Sequence, residues 1–297
     1  MGLAQRTSNA ILFGDSGEMP LDVRSDMLSL RYWGHLVEFR SSDSWLGRIL
    51  RTSVRFAAAQ FPDDGRHHRG APLLWVVRMR RVFARHGLDP TCLDRLAAPV
   101  PLQPGRPVRG TAYAQWRAYV SRAVREAWIR DWRATVDSSH ATDVYRLVVG
   151  PSPGRSPLYD VPVPAATRYA YFALRAQKLP LGVVLGRYQG TPRGARTCAL
   201  CHASPDDEFH FLFTCPALKP AQDRLWGWLS RHYPAIANAV DRADHVSLFR
   251  LLMCCPTDPV CQTLLAGPSG GRAFMRRAIV GVAALWAFRQ GLLVRPA

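Results

Sequence analysis

The sequence predicts a mainly α protein, with helical segments joined by Pro/Gly-rich linkers and one small Cys/His module among them. Three observations carry this reading. Apolar residues recur at spacings of three and four through much of the chain, the period of a helix face. Alternation is scarce, and its best example, Leu158 to Val163, is interrupted by prolines that a central strand does not tolerate. Two stretches dense in Pro and Gly break the helical period. A length of 297 residues allows one or two domains with real cores.

The elements follow in order. Met27, Leu30, Trp33 and Val37 form the first apolar stripe. A second helix is expected after Asp43 or Ser44, which can cap it, with Leu46, Ile49, Leu50 and Val54 inward. A polar loop from Phe61 to Pro72 precedes a helix from Leu73 to His86, which stops at Gly87 and carries Arg78, Arg80, Arg81 and Arg85. Residues 1–96 are read as one helical segment and 97–110 as a linker. The clearest helix starts at Thr111, in the region 111–149, with Trp116, Val120, Ala123 and Ala127 on one face. Residues 150–164 read as a second linker. Residues 165–240 hold a helix with Tyr169, Phe172, Ala173 and Ala176, then a basic connector and the Cys/His module. Stripes at Leu218, Ala221, Leu225, Leu229 and at Ala278, Val282, Leu285, Trp286, Arg289 mark later helices, the second within the C-terminal helices of 241–297.

Charge narrows the function. The net charge is +17 and the pI about 10.5, which points to an anionic partner, with RNA or DNA the commonest, rather than to a small-molecule substrate. Lys178 and Lys219 are the only lysines; arginine supplies the rest. That bias suits phosphate contact and base stacking, and equally a codon-composition effect. Seven cysteines are too few and too unevenly placed for a disulfide scaffold. The start lacks an apolar signal region, and the longest apolar run, Ala278 to Phe288, falls short of the roughly 20 residues that a bilayer requires. An intracellular protein with reduced thiols and no membrane partner is therefore expected.

One motif stands out: CALCHASPDDEFHFLFTCP, or Cys198-x2-Cys201-x8-His210-x4-Cys215. A Cys-x2-Cys pair grips one ion through two thiolates, and a later His and Cys complete a tetrahedron. The expectation is one structural Zn2+, because four protein ligands leave no open position for water. Three thiolates, one imidazole and the ion sum to −1, which nearby Arg193 and Arg196 could offset. Ser204 and Pro205 suit a turn, and Asp206, Asp207 and Glu208 a polar first turn. His202 is a poorer ligand because it adjoins Cys201. Cys254, Cys255 and Cys261 read as buried core thiols.

This stretch resembles the C-terminal zinc-binding domain of non-LTR (LINE-like) retrotransposon reverse transcriptases. The shared features are the ligand order, the acidic residues before His210, and Pro216 after Cys215. LRAQKLPLG (Leu174 to Gly182) is similar to the helix and turn that precede that domain, and LWAFR (Leu285 to Arg289) to its terminal Trp-x-x-Arg helix. Gly2 to Leu36, with Gly17, Pro20, Leu21, Arg31, Tyr32 and Trp33, looks like the segment after the polymerase palm, which makes 1–96 thumb-like. The resemblance implies a region that holds template RNA or target DNA; read instead as an interaction module, the chain has a protein partner, such as a polymerase domain in trans.

Catalytic signatures are missing. Phe61-Pro62-Asp63-Asp64 does not fit the Tyr-x-Asp-Asp hairpin, since Pro62 sits inside it. No lysine follows Lys219, so a PD-(D/E)-x-K nuclease pattern cannot be built. There is no Gly-rich phosphate loop ending in Lys-Ser/Thr and no Gly-x-Ser-x-Gly elbow. The expected function is thus non-catalytic nucleic-acid binding through Arg168, Arg175, Lys178, Arg187, Arg193 and Arg196, with Tyr188 stacking on unpaired bases. The alternatives are a zinc-stapled protein-interaction module, or a decayed retroelement fragment without activity.

Overall fold

The computed structural model describes residues 9–38, 48–49, 52–53, 55–56, 75–89, 111–203, 205–239, 241, 243–265 and 270–294. The linker expected at 97–110, the loop at 61–72, Ser204 and most of the helix expected after residue 43 lie outside them. The protein is mainly α. Its helices are α1 (Asn9–Ser16), α2 (Leu21–Glu38), α3 (Trp75–Arg85), α4 (Thr111–Ser138), α5 (Asp143–Val148) and α6 (Ala165–Arg175). There follow α7 (Gly182–Tyr188), α8 (Lys219–His232), α9 (Pro234–Ala239), α10 (His245–Leu252), α11 (Pro259–Leu265) and α12 (Gly270–Val294). Extended pairing among the described residues is limited to an isolated antiparallel bridge between Ser16 and Arg155.

The chain forms two compact units, Met19–Asp131 and Met1–Glu18 with Trp132–Ala297. Composition placed its boundaries at 97–110 and 150–164 instead. The unit from Met19 is built on aromatic packing. Leu30 and Trp33 of α2 meet Met79, Val82 and Phe83 of α3 and Val120 and Val124 of α4. The Trp33 and Phe83 rings meet edge-on at 6.2 Å, and Trp116 donates its indole N–H to the Leu30 carbonyl at 2.9 Å. Helix α3 ends as the sequence signals. Gly87 takes a left-handed φ of 65° and Leu88 N–H returns to the Phe83 carbonyl, closing a Schellman turn.

The other unit holds the Cys/His module. Long α12 packs along α6 and against α8. Phe274, Ala278, Ile279, Val282 and Leu285 of α12 and Leu218, Ala221, Leu225 and Leu229 at α8 are buried, so both late stripes are core. In α6 the inward side chains are Tyr171, Phe172, Ala173 and Leu174, whereas Tyr169, expected inward, is exposed. Asp244 caps α10 by accepting from the Val246 and Ser247 amides.

Residues 150–164 are not a bare spacer. Gly154 N–H bonds to Gly14 O and Ser156 N–H to Asp15 O, while Leu158 and Val161 are buried and Tyr159 stacks on Phe172. The prolines block a strand ladder but leave these side chains free to pack. Gly17, at φ 69°, permits this approach, because a Cβ there would stand 2.7 Å from the Arg155 amide nitrogen.

Gly271–Val294 is long and apolar enough to cross a membrane by length and composition. The run is longer than Ala278 to Phe288 because its interruptions, Arg272, Arg276, Arg277 and Arg289, are few.

Candidate metal centre

The segment from Arg193 to Leu218 folds back on itself around the four ligand residues. Cys198 N–H bonds to Ala203 O and His202 N–H to Cys198 O, forming the tight turn that a Cys-x2-Cys pair needs. His202 sits at φ 59° with its side chain exposed, so it is not a competing ligand. His210–Thr214 make one π-helical turn, closed by Cys215 N–H on His210 O. Such a turn displaces side chains from the regular helical register, a device frequent at functional sites.

These local shapes bring Cys198, Cys201, His210 and Cys215 together, with one donor atom each and all four atoms within 4.8 Å of one another. Sγ of Cys215 lies 3.9 Å from that of Cys198 and 3.8 Å from that of Cys201, and the Cys201 Sγ lies 3.2 Å from His210 Nε2. Two sulfurs bound to one ion at about 2.3 Å and the tetrahedral angle stand about 3.8 Å apart. The four residues therefore fit one metal ion, and the three cysteines are free thiols rather than disulfides.

The surroundings match the donor set. Burial lowers the His210 pKa and so favours the neutral ring that a ligand must present. Its other nitrogen, Nδ1, faces the Thr214 hydroxyl at 3.3 Å, which orients the ring. Burial, with Cys198 and Cys201 beside it, pushes the Cys215 thiol up to about 12. A cation between the sulfurs is what makes thiolates tolerable there.

The acidic residues do not form a polar first turn, because they are buried. Asp206 accepts from the Gly182 amide at 2.7 Å and from both terminal nitrogens of Arg289, at 3.0 and 2.7 Å. That fork is bidentate, and Arg289 is 2% exposed. Arg289 also lies 3.8 Å from the Cys198 sulfur, so it borders the centre while its charge is matched by Asp206. Gly182 is required here, since a Cβ would stand 2.9 Å from Asp206 Cβ and Thr197 O. Asp207 accepts the His210 amide and pairs with Arg193. Burial raises the Glu208 carboxyl to about 7, and neither of its oxygens has a hydrogen-bond partner among the described residues.

The residues expected to meet nucleic acid divide into two sets. Arg175 is buried and forks onto Asp15, with further bonds to Met253 O and Val148 O. It is an internal crosslink and cannot reach phosphate. Arg196 is spent on Thr191 O and Val183 O, and Arg168 on Val161 O. Arg193 and Tyr188 are exposed, and Lys178 and Arg187 are half-buried. Sequence reading missed the Asp206–Arg289 and Asp15–Arg175 pairs. LWAFR was the only signal of the first, and nothing in the sequence marked the second.

No protein-family model, curated protein or solved structure matches the chain.

Proposed function

We propose that the chain is a non-catalytic nucleic-acid-binding protein whose Cys198, Cys201, His210 and Cys215 hold one structural Zn2+ ion. The observation that carries this reading is the closed set of three sulfurs and one imidazole nitrogen at tetrahedral spacing. When bound, the ion crosslinks the 198–215 segment, and the protein's own residues do the rest. Lys178 and Arg187 then offer cations near the module to phosphate, joined by exposed Arg193 where phosphate competes with Asp207 for it, with Tyr188 beside them for stacking. Asp206 and Arg289 fix the module to α12. The resemblance to the C-terminal region of non-LTR retrotransposon reverse transcriptases gives the context, namely holding template RNA or target DNA.

The test has two parts. Metal analysis of the purified protein is expected to return one zinc per chain. Affinity for single-stranded RNA, hairpin RNA and duplex DNA is expected to fall steeply as salt rises, in proportion to the phosphates contacted. Undetectable binding at low salt would overturn the nucleic-acid reading. It would favour a zinc-stapled protein-interaction module, for which Leu185 and Tyr188, 50% and 58% exposed on α7, form the apolar patch.

A further inference from the structure

Helices α8 and α12 line a half-open slot of about 260 Å³ on the unit that holds the metal centre. It exists because α12 presents small residues to α8. At Gly281 the helices touch, since a Cβ there would stand 2.5 Å from Leu225 Cδ1. Beyond that contact Ala284 leaves space that no side chain fills. The walls are apolar, with Leu225 and the half-buried Trp228 on one side and Val280 on the other.

Arg224 and Arg277 also line it, and both are exposed. The Arg224 guanidinium lies over the Phe288 ring at 5.4 Å, which holds it in place without neutralising it. Neither arginine pairs with a carboxylate among the described residues. The ionisable side chains of α12 are all arginines, and the nearby Asp223 of α8 is taken by Lys219. The slot is thus an apolar cleft with a cationic rim, smaller than the roughly 300–1,000 Å³ of sites for drug-sized ligands. It suits one flat ring flanked by anions.

We propose that this slot receives one unpaired base of a single-stranded nucleic acid, with the flanking phosphates on Arg224 and Arg277. The ring packs against Trp228, Leu225 and Val280, and the arginine forks take phosphate oxygens. The inference rests on the nucleic-acid reading above and adds a second contact site, apart from the arginines around the zinc module. An acidic peptide carrying one aromatic residue is the competing occupant. Arginine forks accept either anion, and the net charge of +17 favours the polyanion.

The experiment uses the full zinc-loaded chain and a short single-stranded oligonucleotide containing 2-aminopurine. Wild type is expected to change the 2-aminopurine emission on binding. Ala284→Leu fills the slot with a good helix former on an exposed position, so the fold is kept. It is expected to lower single-strand affinity about tenfold and leave duplex affinity unchanged. Arg277→Gln is expected to weaken single-strand binding and flatten its salt dependence. Wild-type affinity in Ala284→Leu would overturn the slot while leaving the nucleic-acid reading standing. A glutamate-rich peptide with one tryptophan that binds wild type but not Ala284→Leu, with no 2-aminopurine response, would also overturn it. Absence of any oligonucleotide binding by wild type would remove the underlying reading itself.

Discussion

Two groups of three cysteines lie in the same compact unit and meet different fates. Cys198, Cys201 and Cys215 turn their sulfurs toward one point and toward His210. Cys254, Cys255 and Cys261 are all buried, whereas Cys201 of the first group is half-buried. The sulfurs of the second group turn to backbone carbonyls: Leu252 O, Leu147 O, and Arg250 O with Leu251 O. Burial raises the Cys254 thiol to about 12 and moves Cys261 upward as well, so both are neutral thiols in an apolar setting. Among the described residues only the first group reaches four donors. Sulfur and burial therefore do not make a metal site. What sets the first group apart is a convergent imidazole, His210; an arginine near sulfur is common to both groups, Arg289 at 3.8 Å from Cys198 and Arg250 at 3.9 Å from Cys255.

That contrast can be broken or sharpened in four ways. The largest effect belongs to the ion. Cys215→Ser, or a strong chelator on wild type, should remove the zinc and lower the melting temperature by ~10 °C or more. Acidification should act in the same direction, because protons compete for the thiolates and the imidazole. Unchanged melting in chelator would end the distinction between the two groups. Next comes Arg289→Met, which leaves Asp206 buried without its cation. A loss of about 3–5 kcal/mol in a urea titration is expected. Asp206→Asn added to Arg289→Met should recover part of that loss, since the orphaned charge is gone.

Smaller effects are expected in the second group and at the surface. Cys261→Ser puts a hydroxyl where a thiol packs and should cost about 1–3 kcal/mol. Zinc measured in that variant should stay at one per chain; a drop would make this group a metal site after all. Arg193→Ala removes a half-exposed ion pair to Asp207 and should cost less than about 1 kcal/mol. Its zinc content should be unchanged, while the salt dependence of RNA binding becomes shallower.

Local information made the centre legible. All four donors fall within 18 residues, and two short hydrogen-bonded turns place them, so spacing alone identified the set. The helices were legible for the same reason, because the stripes at Leu218–Leu229 and Ala278–Leu285 report the buried face directly. Charge was read less well. Arg175 and Arg196 look like surface cations in a basic connector, yet each is consumed inside the fold. Asp206 and Glu208 look like a polar turn, yet both are buried. The partner of Asp15 lies 160 residues away and that of Asp206 lies 83 residues away. No local pattern encodes a pair at that range. The folding of 150–164 was hidden because proline density reports the backbone and is silent on what Leu158 and Val161 bury.

The Asp206–Arg289 fork sets a timetable for synthesis. All four donors leave the ribosome with Cys215, whereas the cation that Asp206 is built to meet follows Asp206 by 83 residues. At about 5–20 residues per second, the 74 residues from Cys215 to Arg289 take roughly 4–15 s. During that interval the nascent segment has its four donors but lacks the cation of Asp206 and the helix that carries it. A ribosome stalled in that window would present a chain competent to capture metal yet unable to bury Asp206 against its partner.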